Sequence, residues 1–281
     1  MPETPIVGAK LKDMEVLYGL HPVEESLRSG GRRLEYVLVS RERSRAAAPD
    51  PAIARILELC KLAKIRVTVE PKEQLTRIAK TDTHQGVVAA VRERKFLTLE
   101  DLLAARGKFD RRFFLALDSV EDPHNLGALL RSADGAGVDG VLLPERRSAP
   151  ISPVVAKTSA GASEHVPIAR VTNLTRALEQ MKKANVWIIG LDERGTPDYT
   201  DFNFDQDCCL VLGAEGAGLH DLVKKTCDYL LRIPMAGSVS SLNVSVAGAV
   251  VMYEAMRQRT GPKVIASAPQ KAAKPRKGLG S

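Results

Sequence analysis

From Arg111 onward, short apolar runs alternate with segments whose apolar positions recur at helical spacing. Phe113–Leu117, Gly140–Leu143, Val186–Leu191, Cys208–Gly213 and Tyr229–Ile233 carry almost no charge and read as strands buried on both faces. Between and after them, Leu126–Ala136, Leu174–Ala184, Leu219–Lys225 and Val244–Arg257 read as helices. Such alternation predicts an α/β fold with a largely parallel sheet covered on both sides. Ligands in these sheets sit beyond the carboxyl ends of the strands, here marked by Asp118, Gly213 and Ile233.

The chain before Arg111 has a different rhythm. Leu34–Ser40, Ile65–Val69 and Gly86–Val91 read as strands, and Ile53–Lys64 as a helix with Ile53, Ile56, Leu57 and Cys60 on its apolar stripe. A short helix through Glu24–Arg28 is expected to stop at Gly30-Gly31, which tolerate the left-handed conformation of a helix end. Residues 14–92 therefore form a small α/β domain of their own. Residues 93–110, with mixed charge and one helical pattern at Leu99–Ala105, are expected as a linker to a domain at 111–261, and residues 1–13 and 262–281 as a flexible N-terminus and a basic, disordered tail.

Three loops at the expected strand ends carry candidate chemistry. The first runs from Asp118 through Asn125, placed to cap a helix, to Arg131; six positions apart, the last two do not share one helix face. Gly213-Ala-Glu215-Gly-Ala-Gly218 forms the second, poor in side-chain bulk and suited to backbone contact with a ligand. Its glycine order departs from the dinucleotide fingerprint, which argues against a nicotinamide-dependent dehydrogenase. Ile233-Pro-Met235-Ala-Gly-Ser-Val-Ser240-Ser241-Leu242-Asn243 is the third and leads into an alanine-rich helix, with Ser240, Ser241 and Asn243 as candidate caps. A plain capped turn fits this stretch as well. That last helix has one apolar stripe at Val244, Ala247, Gly248, Val251 and Ala255 and another at Val246, Ala249, Val250 and Tyr253. One stripe can face the sheet; the other needs more chain or a second subunit.

Composition narrows the class. The 281 residues suffice for two domains with buried cores, and no run is long enough to span a membrane as a helix. Without a signal-like start, a cytoplasmic protein is expected. Cys60, Cys208, Cys209 and Cys227 form no CxxC pair and the five histidines have no ligand spacing, so neither disulfides nor a metal is expected. The net charge of +7 is uneven: residues 14–92 carry +4, residues 111–259 carry −2 and the stretch after Arg259 carries +5. A nucleic-acid partner would thus be gripped mainly by the first domain and the tail, with Arg32, Arg33, Arg41 and Arg43 as candidate contacts to its phosphates or bases. A solubilising surface bias is the alternative.

Together the three loops resemble the SpoU/TrmH family of RNA 2′-O-ribose methyltransferases, within the SPOUT class. The matching residues are Asn125-Leu-Gly-Ala-Leu-Leu-Arg131-Ser-Ala, Leu210-Val-Leu-Gly-Ala-Glu215-Gly-Ala-Gly-Leu, and Ile233-Pro-Met with Ser241-Leu-Asn-Val-Ser245. Tyr18-Gly-Leu-His-Pro-Val and His84-Gln-Gly-Val are similar to the L30e-like RNA-binding domain that precedes such enzymes. The resemblance implies S-adenosylmethionine as methyl donor, a trefoil knot near the C-terminus and a homodimer through the last helix. The two-domain layout is similar to enzymes that methylate a guanosine ribose in the peptidyl-transferase loop of 23S rRNA; tRNA methylation and a non-catalytic RNA-binding role are the alternatives. It implies a catalytic set of Asn125, Arg131, Glu215, Ser241 and Asn243, and a donor site at Leu191, Leu212, Gly213, Ala214, Gly218, Ile233, Met235, Ser241, Leu242 and Asn243.

Overall fold

The computed structural model describes residues 14–30, 34–44 and 50–261. The expectations for residues 1–13 and 262–281, and for Arg32 and Arg33, lie outside the described residues.

Residues 14–92 build a four-stranded sheet in the order β1-β4-β2-β3, with β1 at Met14–Tyr18, β2 at Leu34–Ser40, β3 at Arg66–Glu70 and β4 at Val87–Arg92. The central β4 runs antiparallel to β1 and β2, while β2 and β3 are parallel. Alternation along the strands loads both faces: Val37, Val39, Val87 and Ala89 pack under α1 (Leu20–Ser29) and α3 (Pro51–Leu62), and Leu38 and Val88 pack with Leu75 of α4 (Lys72–Ala79). α2 is the single turn Arg41–Ser44. Gly30 ends α1 at φ 61°, as its position in the sequence predicts. β1 and α4 are additions to the sequence reading. β1 is made by its neighbour, since Met14 to Tyr18 pair residue for residue with Arg92 to Val88.

The second sheet has six strands, all parallel, in the order β10-β8-β9-β5-β6-β7. They are β5 (Phe113–Leu117), β6 (Gly140–Pro144), β7 (Ile168–Val171), β8 (Trp187–Leu191), β9 (Cys208–Leu212) and β10 (Tyr229–Leu231). α6 (Pro123–Gly135) and α10 (Val244–Thr260) cover one face, while α5 (Leu99–Ala104), α8 (Leu174–Lys183) and α9 (Asp221–Thr226) cover the other. β9 and β5 are wholly buried at the centre, which is why they read as uninterrupted apolar runs. β7 and α7 (Pro153–Thr158) went unpredicted because the exposed Arg170 interrupts the four-residue β7 and α7 buries only Val155 and Ala156, so neither shows a clear apolar pattern.

The stretch 93–110, expected as a linker, is packed. Leu99 and Leu102 of α5 are buried against the second sheet, Leu97 bridges Ala169 of β7, and Thr98 and Asp101 form a reciprocal capping box. Arg94 donates to Glu164 at 2.6 Å, with the two side chains only 10% and 1% exposed. Further contacts tie the two sheets together: His165 Nε2 lies 2.8 Å from Glu25 Oε2, and Lys157 Nζ donates to the carbonyl of Thr83 at 2.8 Å.

Candidate functional site

The carboxyl ends of β8, β9 and β10 open onto a cavity of about 630 Å³, the size of a small-molecule site. Its floor is set by Gly213 directly after β9. A Cβ there would stand 2.1 Å from the carbonyl carbon of Gly218, so only glycine allows the loop to fold back on itself. Ala214 and Gly218 exchange backbone hydrogen bonds at 3.0 and 2.9 Å, closing a tight loop that lifts Glu215 to its tip. Asp118, buried after β5, accepts from the backbone N–H of His220 at 2.8 Å and faces its ring Nδ1 at 3.0 Å, pinning the far end of the same loop.

Leu191, Leu212, Gly213, Ala214, Gly218, Ile233, Met235, Ser241, Leu242 and Asn243, all singled out from the sequence for the donor site, line this cavity. Leu191, Leu212, Ile233 and Leu242 give it an apolar wall, while the glycine loop and the 240–243 segment present backbone groups.

Asn125, Glu215 and Asn243 come together at its edge. Asn125 Nδ2 donates to Glu215 Oε2 at 3.0 Å, Asn243 Nδ2 donates to Asn125 Oδ1 at 3.0 Å, and the same Nδ2 lies 3.3 Å from Glu215 Oε1. Asn243 Oδ1 accepts from the backbone N–H and the hydroxyl of Ser245, so one side chain caps α10 and closes the triangle. Asn125 itself is not a cap, contrary to the sequence reading. Asp122 caps α6 by accepting from the N–H groups of His124 and Asn125, and Pro123 takes the first helical position. That leaves the Asn125 amide free to cross to Glu215.

Two predicted residues stand outside the triangle. Arg131 is exposed on α6 with no hydrogen bond or ion pair among the described residues, and Ser241 is exposed on the cavity rim. Of the expected RNA contacts, Arg41 is exposed on α2, and Arg43 donates to Asp50 at 2.9 Å beside the 83–86 loop.

An ion pair on the cavity wall was not foreseen: Lys224 Nζ donates to Asp192 Oδ2 at 2.6 Å. Burial pushes the Asp192 carboxyl upward, but the Lys224 ammonium and the Arg194 N–H outweigh it and hold the group below its usual value. The one sequence signal was position, since Asp192 follows directly on β8. The cysteines stay out of the chemistry. Burial pushes the Cys208 thiol up to about 12 and that of Cys60 to about 11, far from a reactive thiolate. Among the described residues no group of three or more His, Cys, Asp or Glu could hold a metal ion, and no helix is long and apolar enough to cross a membrane.

Residues 112–253 match the SpoU rRNA Methylase family, and residues 16–97 match the RNA 2′-O ribose methyltransferase substrate-binding family. The 23S rRNA (guanosine-2′-O-)-methyltransferase RlmB of Pectobacterium atrosepticum is 40% identical over 88% of this chain and 99% of its own. YacO of Bacillus subtilis, assigned to the TrmH family of tRNA/rRNA methyltransferases, is 45% identical over 73% of this chain and 82% of its own. Among solved structures, the SpoU methyltransferase AviRb of Streptomyces viridochromogenes in complex with AdoMet superposes with a TM-score of 0.71 at 27% identity, covering 88% of this chain and 91% of that one. With its three loops gathered at one end of a parallel sheet and the match spanning half its length, the chain belongs to the SpoU rRNA methylase family.

Proposed function

We propose that this chain transfers a methyl group from S-adenosylmethionine to the ribose 2′-hydroxyl of a guanosine in 23S rRNA. The observation that carries the proposal is the Asn125–Glu215–Asn243 triangle at the mouth of the glycine-floored cavity. The cavity suits the donor: its volume is that of a drug-sized ligand site, its wall is apolar enough for an adenine, and the loop at Gly213 leaves backbone groups bare. When bound, S-adenosylmethionine supplies an electrophilic methyl on a sulfonium.

The protein's task is to present the hydroxyl and to stabilise charge as its proton leaves. The triangle holds the Asn125 amide in one orientation and braces Glu215. Arg131 is the residue for the target phosphate. A guanidinium does not deprotonate in a protein, so its contribution is electrostatic, lowering the pKa of the hydroxyl rather than acting as a base. Ser241 closes the rim.

Residues 14–92 would bind the RNA, with Arg41 and Arg43 among the contacts. The exposed stripe of α10, where Val246 and Tyr253 are each 49% exposed, supports a homodimer through this helix. The knot near the C-terminus and a cytoplasmic location complete the proposal. Identity of 40% along nearly the whole of an enzyme named for 23S rRNA favours that substrate; the 45% match to a tRNA/rRNA methyltransferase keeps tRNA as the second reading.

The test is incubation with methyl-labelled S-adenosylmethionine and unmodified total RNA, followed by size fractionation and mass spectrometry of the nucleosides. The expected product is 2′-O-methylguanosine in large-subunit rRNA. Label in tRNA moves the assignment to the second reading, and no label in any fraction overturns both.

A further inference from the structure

The expectation that the first domain and the tail supply most of the phosphate grip leaves a gap, because the nucleotide must still be held beside the Asn125 triangle, in a region carrying a net −2 charge. The loop after β6 fills that gap. Glu145-Arg146-Arg147-Ser148 leaves the carboxyl end of β6, next to β5, on the same end of the sheet as the triangle.

This loop is held in place. Glu145 N–H donates to the Val171 carbonyl and Ala149 N–H donates to the Val120 carbonyl, each at 3.0 Å, so both ends are fixed and one is tied to the loop that leads into α6 and Asn125. Arg147 adopts φ 57°, a left-handed conformation that is uncommon for a residue with a side chain and that collects at functional sites. Arg146 and Arg147 are both exposed, and among the described residues neither makes a hydrogen bond or ion pair. Glu145 on the same loop and Glu121 on the neighbouring one are within a few residues of these contacts, yet neither pairs with the arginines.

A basic path also leads away from them. On α7, the next helix in the chain, Lys157 donates to the Thr83 carbonyl and lies 5.9 Å over the Tyr18 ring, joining the second sheet to the first. Arg131 is exposed on α6, the helix against which α7 packs.

We propose that Arg146 and Arg147 grip the RNA backbone on either side of the nucleotide presented at the Asn125 triangle, an inference that rests on the RNA substrate proposed above. Two free guanidinium forks on a fixed loop match the bidentate geometry of phosphate oxygens. They position the substrate and take no part in the methyl transfer itself.

The test is the full-length double variant Arg146→Ser/Arg147→Asn, in which asparagine accepts the left-handed conformation and the loop is preserved. Binding of an unmodified 23S rRNA transcript is measured across a salt series, together with KM, kcat and S-adenosylmethionine affinity. The log–log salt slope is expected to fall by about 1.4 to 1.8, as for two lost phosphate contacts, and KM for RNA to rise about tenfold. Donor affinity and kcat at saturating RNA stay at the wild-type level. Arg146→Lys/Arg147→Lys, which retains both charges, is expected to keep most of the slope. A double variant with the wild-type slope and KM overturns the proposal. If wild-type protein transfers no methyl group the proposed activity fails instead, and comparison of the two salt slopes still decides the role of the arginines.

Discussion

Asn243 Nδ2 donates to Asn125 Oδ1 at 3.0 Å, joining the cap of α10 to the first turn of α6 across 118 residues of chain. Because Asn243 Oδ1 is occupied by Ser245, the capping role fixes which way the amide points and hence which atom meets Asn125 and Glu215.

Asn243→Asp separates the two roles. An aspartate still caps α10, so the stability loss should stay well below the ~1 kcal/mol of a lost cap. It also replaces the donor with an oxygen facing Asn125 Oδ1 and Glu215 Oε1, breaking the triangle by acceptor repulsion. Methyl transfer is expected to fall by about a hundredfold or more, the scale seen when one aligned active-site donor is lost. Thermal melts read alongside turnover check it, and an active Asn243→Asp variant would remove the triangle from the mechanism.

Gly213→Ala tests the cavity floor. The added methyl would meet the Gly218 carbonyl group 2.1 Å away, backbone that cannot rotate aside. The 213–219 loop has to move, and Leu212, Gly213 and Ala214 move with it. S-adenosylmethionine affinity measured by calorimetry should drop at least tenfold, with the fold intact by circular dichroism. Unchanged affinity would place the donor elsewhere.

Arg131→Ala should do the opposite. The side chain is exposed and has no partner among the described residues, so neither stability nor donor affinity depends on it. Turnover is expected to be lost while calorimetric titration with S-adenosylmethionine looks like wild type. Retained turnover would end its assignment.

These residues differ in how far the sequence could announce them. Gly213 and Asn243 were legible, because a glycine-rich loop after an apolar run and an asparagine before an alanine-rich helix each carry a local cause for their geometry. The role of Asn125 was half legible. Its place at the start of α6 was evident, but the Asp122-Pro123 pair makes the cap, and that is what releases Asn125 for its long-range contact. The Asp192–Lys224 pair was not legible, since 32 residues separate its members and only the parallel pairing of β8 with β9 brings the end of β8 beside α9, which carries Lys224. β7 and α7 were missed for a related reason. Pairing with β6 and packing on α6 sustain segments whose own apolar pattern is weak.

His84 provides a pH test of the substrate-binding fold. It is buried, its Nδ1 accepts from Gly86 N–H at 3.0 Å, and its Nε2 lies 3.1 Å from the Thr76 hydroxyl. With Nδ1 occupied as an acceptor the ring is neutral, and Nε2–H donates to Thr76. Burial, seconded by the nearby Lys72 ammonium, lowers its pKa below the ordinary histidine value. A base whose folded pKa is depressed binds fewer protons folded than unfolded, so stability falls as pH drops through about 6.5 and levels off below the folded pKa. Glu25 and Asp192 are also depressed, but as carboxylates they make themselves felt only below about 4.5. Denaturation between pH 7.5 and 5 lies above the carboxylate range, and comparing wild type with a variant at this one position separates His84 from the other histidines, among them His165 beside Glu25 and His220 beside Asp118. His84→Gln retains an acceptor for Gly86 and cannot titrate, so its stability should vary less over this range than that of the wild type. Equal pH dependence in the two proteins would show that His84 is not the titrating group.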